Sequence, residues 1–160
     1  MIKLQRSDFM VDGIVVPEET DTAIYGLFGP YRCLSNFHEQ PFMYQGMLWY
    51  TSEAAYMAQK TEDLEIRKFF SALKTGKEAK QFGREVELRP DWDDIHRIHA
   101  MYRVLLAKFA QDKKSAGVLI STGNKYIEET NWWKDVYWGK CGGIGKNHLG
   151  QILMTIRELL

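Results

Sequence analysis

The chain has 160 residues, of which 45% are hydrophobic, and this suits one ordinary domain with its own core. Twenty-one basic residues balance twenty-one acidic ones, so net charge provides no general attraction to nucleic acid or to an anionic membrane. No apolar run approaches the roughly 18 residues that cross a bilayer, so we expect no membrane span. The two cysteines match no metal or redox spacing, and this predicts a reduced, cytoplasmic protein.

Strand-like and helical patterns follow one another in the first half of the chain. Over residues 1–50, glycines separate short apolar runs, and this pattern predicts short strands and loops. Thr51 or Ser52 is suited to cap a helix that reaches about Lys60. A second helical segment is predicted over residues 63–73.

The strongest helical pattern lies in the middle of the chain. Thr75 followed by Glu78 has the form of a capping box and predicts a third, short helix. A long helix that ends near Ala110 is then predicted from apolar residues at three- and four-residue spacing. Its core-facing residues are Ile95, Ile98, Tyr102, Leu105, Leu106 and Phe109.

The remaining segments complete an α+β fold that is mainly helical, with a small mixed or antiparallel sheet. A short helix is predicted over residues 115–121, a strand over 125–129 and the end of a strand over 136–138. Asn147 is suited to cap a last helix. The predicted buried face of that helix contains Leu149, Ile152, Leu153, Ile156 and Leu159.

Glu53 is the first residue that could carry chemistry. It lies in the first turn of the helix predicted after residue 51, where free N–H groups and the helix dipole stabilise an anion. A first-turn glutamate is also a common helix starter, so its position alone leaves both interpretations open.

A glycine-rich segment over residues 139–147 leads into the last helix. Its glycines allow close backbone approach to a ligand, and the helix start could offer N–H groups to a phosphate. It is not a Walker A loop, because Lys140 stands where the first glycine belongs and Asn147 where Ser or Thr would bind magnesium. A flexible turn with a helix cap is the alternative.

Nothing in the sequence indicates a metal site or a Ser or Cys nucleophile. His96 and His99 share a helix face, yet no third ligand accompanies them at a useful spacing. There is no G-x-S-x-G motif, and neither cysteine has a histidine at a spacing that indicates a catalytic Cys–His pair. We therefore expect no metal and no cofactor.

Several short fragments occur in a characteristic order. They are Leu34-Ser35-Asn36-Phe37, Trp49, Thr51-Ser52-Glu53, Ala58-Gln59-Lys60, Gly83-Arg84, Arg89-Pro90-Asp91-Trp92, Lys108-Phe109, Asp135 with Trp138-Gly139, and Gly145-Lys146-Asn147 through Leu149-Gly150, Leu153-Met154 and Arg157. Over about residues 25–160 this order resembles the NADAR (YbiA-like) family. Ala54 departs from the family, which often has histidine after the glutamate. We treat residues 1–24 as a protein-specific extension of one domain, 1–160.

The resemblance implies a mainly helical α+β N-glycosidase. Some members of the family cleave early phosphorylated riboflavin intermediates, and others remove ADP-ribose from guanine in DNA. The expected partner is therefore a small ribosylated or ADP-ribosylated compound, or an ADP-ribosylated nucleic acid. The implied catalytic residues are Glu53, Trp92, Asp135 and Trp138. The implied substrate contacts are Asn36, Phe37, Trp49, Lys60, Arg84, Gly139, Gly145, Lys146 and Asn147.

Two carboxylates suffice for N-glycoside hydrolysis by analogy with O-glycosidases. We assign Glu53 to the ribose side, and Asp135 to protonation of the leaving group or to orientation of the ribose hydroxyls. Both are expected to converge on one ribose-sized cleft. Two other functions stay open: a sensor that binds ADP-ribose or a nucleotide without turnover, and an interaction module whose tryptophans are core. A protein that only binds an anionic ligand has little need for two carboxylates beside it, so this pair favours the enzyme over the sensor.

Overall fold

The structure of the chain is a computed structural model that describes residues 5–12 and 14–160. Its contacts divide the chain into two compact units. The terminal unit is formed by Met1–Ser35 with Ser115–Leu160, and the central unit by Asn36–Lys114. No helix of the described residues is long and apolar enough to cross a bilayer.

The described residues form helices and short strands that alternate irregularly along the chain. In chain order they are β1 (Met10–Val11), β2 (Ile14–Val15), β3 (Glu18–Glu19), β4 (Ala23–Tyr25), β5 (Phe42–Tyr44), β6 (Met47–Trp49), α1 (Ser52–Ala58), α2 (Leu64–Ala72), α3 (Gly76–Phe82), α4 (Asp94–Gln111), α5 (Lys113–Ser121), β7 (Tyr126–Glu128) and α6 (His148–Arg157). The predicted α+β class is confirmed.

The terminal unit contains two small sheets and the last helix. β1 and β2 pair antiparallel. β3 and β4 pair antiparallel while β4 and β7 pair parallel, which makes this three-stranded sheet mixed. α6 packs on β7, and its buried residues include Leu149, Ile152, Leu153 and Ile156, as predicted. Leu159 is 61% exposed, because the helix ends at Arg157 and the predicted face does not continue.

The central unit packs α1 against α2, α3 and α4, beside the antiparallel hairpin of β5 and β6. Every residue of α1 is buried. α1, α2 and α3 begin where the sequence predicts, and a side-chain oxygen accepts free N–H groups at these three starts and at the start of α4. These capping residues are Thr51, Asp63, Thr75 and Asp93. Thr75 forms the predicted capping box with Glu78.

The buried stripe of α4 contains Leu105 and Phe109, as predicted, but differs from the prediction at the start of the helix. Ile95 is 62% exposed, so its assignment to the core face was wrong. The stripe instead runs through residues at helical spacing near the middle and end of the helix, where α1 and β5 cover it. The buried residues are Met101, Val104, Leu105, Lys108 and Phe109.

Residues 136–138 do not form the predicted strand end. Their carbonyl groups accept hydrogen bonds from N–H groups at the start of α6, and Asp135 Oδ1 accepts the N–H groups of Tyr137 and Trp138. A strand partner would need these same groups. The segment is therefore an irregular turn whose backbone bonds are made elsewhere.

Candidate active site

Glu53 lies in the first turn of α1, and neighbouring residues fix the backbone there. Thr51 Oγ1 accepts the Ala54 N–H at 3.1 Å. The Glu53 N–H donates to the Asn36 carbonyl at 3.1 Å, and the Ser52 hydroxyl donates to Asn36 Oδ1 at 3.0 Å. Glu53 is only 6% exposed. Asn36 and Thr51 thus hold a buried carboxylate at a helix start.

Lys60, two residues after the end of α1, interacts electrostatically with Glu53 and with two arginines. Lys60 is half-buried, and its Nζ donates to the Gly83 carbonyl at 2.6 Å. Burial lowers the pKa of Lys60, the Glu53 carboxylate raises it, and the charges of Arg97 and Arg84 lower it. A ligand beside Glu53 would therefore meet positive charge as well as the carboxylate.

Trp92 is held beside the same helix by backbone and ring contacts. The Arg89 N–H donates to the Lys60 carbonyl at 2.8 Å, and the Trp92 N–H donates to the Arg89 carbonyl at 3.0 Å. The indole lies 5.7 Å from the buried Tyr56 ring, centroid to centroid. Because Glu53 and Tyr56 follow at three-residue spacing, they share one face of α1, and Lys60 lies two residues beyond the end of this helix. The structure thus places Lys60 in electrostatic range of Glu53 and Arg84, and Trp92 against Tyr56, all within the central unit.

A cleft of about 370 Å³ opens in the central unit. This volume lies within the usual range for small-molecule sites. Trp92, which packs on Tyr56 of α1, forms part of its wall. Its other lining residues are Tyr44, Gln45, Gln59, Glu62, Arg67, Arg89, His96, His99, Ala100 and Arg103.

Asp135 and Trp138 belong to the terminal unit and form one turn. Asp135 Oδ1 accepts the N–H groups of Tyr137 and Trp138 at 3.1 and 2.8 Å. Asn131 fixes the same turn, since its side chain accepts the Asp135 N–H at 3.0 Å and donates to the Asp135 carbonyl at 2.8 Å. The carboxylate therefore has a structural role, and its convergence with Glu53 stays a prediction.

The backbone donors that the sequence offers to a phosphate at the start of α6 are used inside the fold. The N–H groups of residues 146–149 donate to the carbonyl groups of residues 136–139 at 2.8–3.3 Å. The prediction that these N–H groups bind a phosphate is therefore wrong. The Lys146 side chain is exposed, with Nζ 5.3 Å from the Tyr137 ring centroid, and it offers a cation at this loop.

Asn147 occupies the position before α6, in a left-handed conformation with φ 54°, but its side chain does not cap the helix. Asn147 Oδ1 accepts the Glu129 N–H at 3.0 Å, and Nδ2 donates to the Ile127 carbonyl at 2.9 Å and the Tyr126 hydroxyl at 3.0 Å. The residue is 1% exposed. Its side chain holds β7 to α6, and ligand contact there stays a prediction.

Trp49 and Phe37, both predicted substrate contacts, pack inside the central unit. Trp49 is 1% exposed, and its Nε1–H donates to the Tyr44 carbonyl at 2.9 Å. The Phe37 ring lies so close to Gly76 that a Cβ there would come within 2.8 Å of its Cγ. Substrate contact through these rings is untested.

Gly139 and Gly145 are required by close backbone approach. A Cβ at Gly139 would clash with the Glu129 carbonyl and lie 2.9 Å from Asn131 Nδ2. A Cβ at Gly145, which has φ 147°, would clash with the Gly139 carbonyl. The turn that carries Asp135 therefore depends on glycine for its shape, whatever these residues contribute to binding.

Gly139→Ala is expected to lower the free energy of unfolding by about 2–3 kcal/mol, because the methyl group has no room beside the Glu129 carbonyl. Gly117→Ala is the matched control. It places a methyl group in open space on α5, where alanine should be neutral or stabilising. Denaturant unfolding of both variants measures the difference. Equal midpoints would show that the turn at Gly139 accommodates the methyl group without loss of stability.

The sequence did not single out Tyr56 and Arg97, nor Arg67 and Arg103 of the cleft. The three-residue spacing from Glu53 could have identified Tyr56. Arg67 and Arg103 lie on different helices, so no local motif marks them. Among residues 5–12 and 14–160, no group of three metal-ligating side chains is present.

Residues 24–160 match the NADAR domain family. An N-glycosidase of Nostoc punctiforme is 37% identical over 141 residues, which are 84% of this chain and 88% of that protein. N-glycosidase YbiA of Escherichia coli is 34% identical over 149 residues, 91% of each chain. The NMR structure of E. coli YbiA superposes with a TM-score of 0.77 at 33% identity, covering 89% of this chain and 86% of that one.

A riboflavin biosynthesis protein of Vibrio vulnificus is also similar, with 35% identity over 130 residues. The match covers 79% of this chain but only 35% of that larger protein. The similarity therefore concerns one region of it.

Proposed function

This chain belongs to the NADAR family, and from that premise we propose that it hydrolyses the bond between ribose C1′ and a heterocycle nitrogen in a phosphate-bearing ribosyl compound. Relatives named N-glycosidases match over most of both chains. The similarity to a riboflavin biosynthesis protein favours a phosphoribosylated heterocycle, such as an early riboflavin-pathway intermediate. ADP-ribosylated guanine, in a nucleotide or in DNA, is the alternative substrate.

The observation that carries the proposal is the buried Glu53 carboxylate at the start of α1, the helix whose Tyr56 packs on Trp92, with the Lys60 ammonium in electrostatic range of the carboxylate. In the reaction the C1′–N bond breaks, the water oxygen bonds to C1′, and the departing nitrogen gains a proton. Positive charge develops at C1′ in the transition state. Glu53 stabilises this charge or accepts the proton of the attacking water.

Trp92 has the exposure and support needed to position a heterocycle. The Tyr56 ring packs against it, while part of the indole stays accessible beside the cleft. A flat aromatic wall orients the ribosyl compound and excludes water from C1′. The family resemblance supplies the remaining roles, with Asp135 as proton donor or holder of the ribose hydroxyls and Trp138 as a further wall.

Lys146→Ala is expected to raise KM about tenfold and leave kcat unchanged, because the exposed ammonium contributes charge to binding and not to bond cleavage. Lys77→Ala, at an exposed position of α3, is the control and should leave both constants unchanged. Steady-state kinetics measure the difference. An unchanged KM for Lys146→Ala would remove this residue from the binding site.

The proposal is tested by incubating the protein with a phosphoribosylated riboflavin precursor, ADP-ribosylated guanine nucleoside, ADP-ribosylated DNA and NAD. Products are identified by mass, and the melting temperature is recorded with each compound. We expect a free heterocycle and a phosphate-bearing ribose from at least one of them. A rise in melting temperature without any product would instead identify a sensor.

A further inference from the structure

Four basic side chains line the cleft of the central unit from two helices. α4 contributes His96, His99 and Arg103, which follow at three- and four-residue spacing and so share one face. α2 contributes Arg67. Glu62 is the one acidic residue among those that line the cleft. The wall is therefore predominantly basic, although the whole chain has no net charge.

The charge of Arg89, a fifth basic group on this wall, is balanced within the protein. Its Nη2 lies 3.0 Å from Glu62 Oε1 and donates to Asp91 Oδ2 at 2.8 Å. Within residues 5–12 and 14–160, no carboxylate lies within ion-pair distance of Arg67 or Arg103. These two guanidinium groups can therefore receive an anion from outside.

Arg67 and Arg103 act on the same part of the cleft. Burial raises the pKa of the half-buried Tyr44, and the charges of Arg103 and Arg67 both lower it. Arg67, Arg103 and Tyr44 all line this cleft. Arg67 is also oriented by its Nε–H, which donates to the Thr61 carbonyl at 2.8 Å. This leaves the terminal nitrogens of its planar fork for a ligand.

The remaining wall suits an organic phosphate. Trp92 supplies an aromatic surface to the same cleft, and a volume of about 370 Å³ accommodates more than an inorganic ion. The start of α6, where the sequence suggested a phosphate site, has its N–H groups from residues 146–149 bonded within the fold. The guanidinium pair is thus the better place for the phosphate of a ribosyl ligand.

We propose that Arg67 and Arg103 bind the phosphate of the substrate in this cleft, which Trp92 also lines. The inference rests on the proposed function, because it assigns the phosphate subsite of the same active site. Two arginines form paired, charge-assisted hydrogen bonds with phosphate oxygens. They act in binding, so their loss should raise KM and leave kcat nearly unchanged.

The test measures binding of ribose 5-phosphate and of ADP-ribose by calorimetry, with ribose as the uncharged comparison. Arg67→Gln/Arg103→Gln should weaken binding of the phosphate compound that the site accepts at least tenfold. Lys68→Gln, at an exposed position of α2 next to Arg67, should bind like wild type. A preference for ribose 5-phosphate indicates a phosphate monoester, and one for ADP-ribose a pyrophosphate.

Arg103→Gln alone keeps the test valid if the double variant unfolds, because Arg103 is exposed. It should weaken binding at least threefold. Unchanged affinity in a folded variant, or no binding of either phosphate compound by wild type, would overturn the proposal. Calorimetry needs no turnover, so phosphate binding that depends on both arginines would stand even if no substrate were hydrolysed. Turnover with an unchanged KM in the variants would instead refute the subsite alone.

Discussion

Replacing Glu53 with glutamine is expected to lower kcat at least about a hundredfold while the protein remains folded. Glutamine keeps the size of the side chain but cannot hold the negative charge that opposes the developing cation at C1′, nor accept a proton from water. Because Glu53 is 6% exposed, little solvent screens that charge. Its loss should therefore destabilise the transition state more than the bound substrate. Single-turnover kinetics with the cleaved substrate measure the effect.

Glu65→Gln is the matched control for this variant. Glu65 also lies in the first turn of a helix, α2, but its side chain is 80% exposed and pairs with Lys68 on the surface. Its replacement should leave kcat unchanged. Wild-type turnover in folded Glu53→Gln would remove Glu53 from the chemistry, even if the enzyme activity itself were established.

Asn147→Ala is expected to lower the free energy of unfolding by about 4 kcal/mol, the largest stability effect that we predict. The change removes a hydrogen bond from three groups: the buried Ile127 carbonyl, the part-buried Glu129 N–H and the part-buried Tyr126 hydroxyl, which keeps its bond to Glu128 Oε2. Each unsatisfied buried group costs about 1–3 kcal/mol. Alanine also tolerates the left-handed backbone at φ 54° less well than asparagine.

For a chain of this length the loss should reduce the melting temperature by roughly 8–16 °C. Asn124→Ala, in an exposed turn before β7, serves as the control and should change stability by less than about 0.5 kcal/mol. Denaturant and thermal unfolding of the two variants give the comparison. Equal stability would contradict the role of Asn147 in joining β7 to α6.

Helix starts were predictable from the sequence because their causes are local. A capping oxygen and the N–H groups that it accepts lie within three residues, so Thr51 and Thr75 identify the starts of α1 and α3 without knowledge of the fold. Glu53 could be placed in a first turn for the same reason. Its burial, by contrast, arises from the packing of three other helices on α1.

The errors concern segments whose environment is set by distant residues. The sequence pattern of residues 136–138 predicts the end of a strand, but hydrogen bonds from the start of α6 determine their conformation. The same bonds remove the phosphate-binding donors that the glycine-rich loop suggested. Arg67 and Arg103 are 36 positions apart, so only the packing of the central unit brings them to one cleft.

The most direct test of the account is a crystal structure of Glu53→Gln with an uncleaved phosphoribosyl substrate. We expect C1′ within about 3–4 Å of the side chain at position 53, or one water molecule away from it, and the heterocycle against Trp92. A substrate bound with C1′ on another surface, out of reach of position 53, would contradict the central claim.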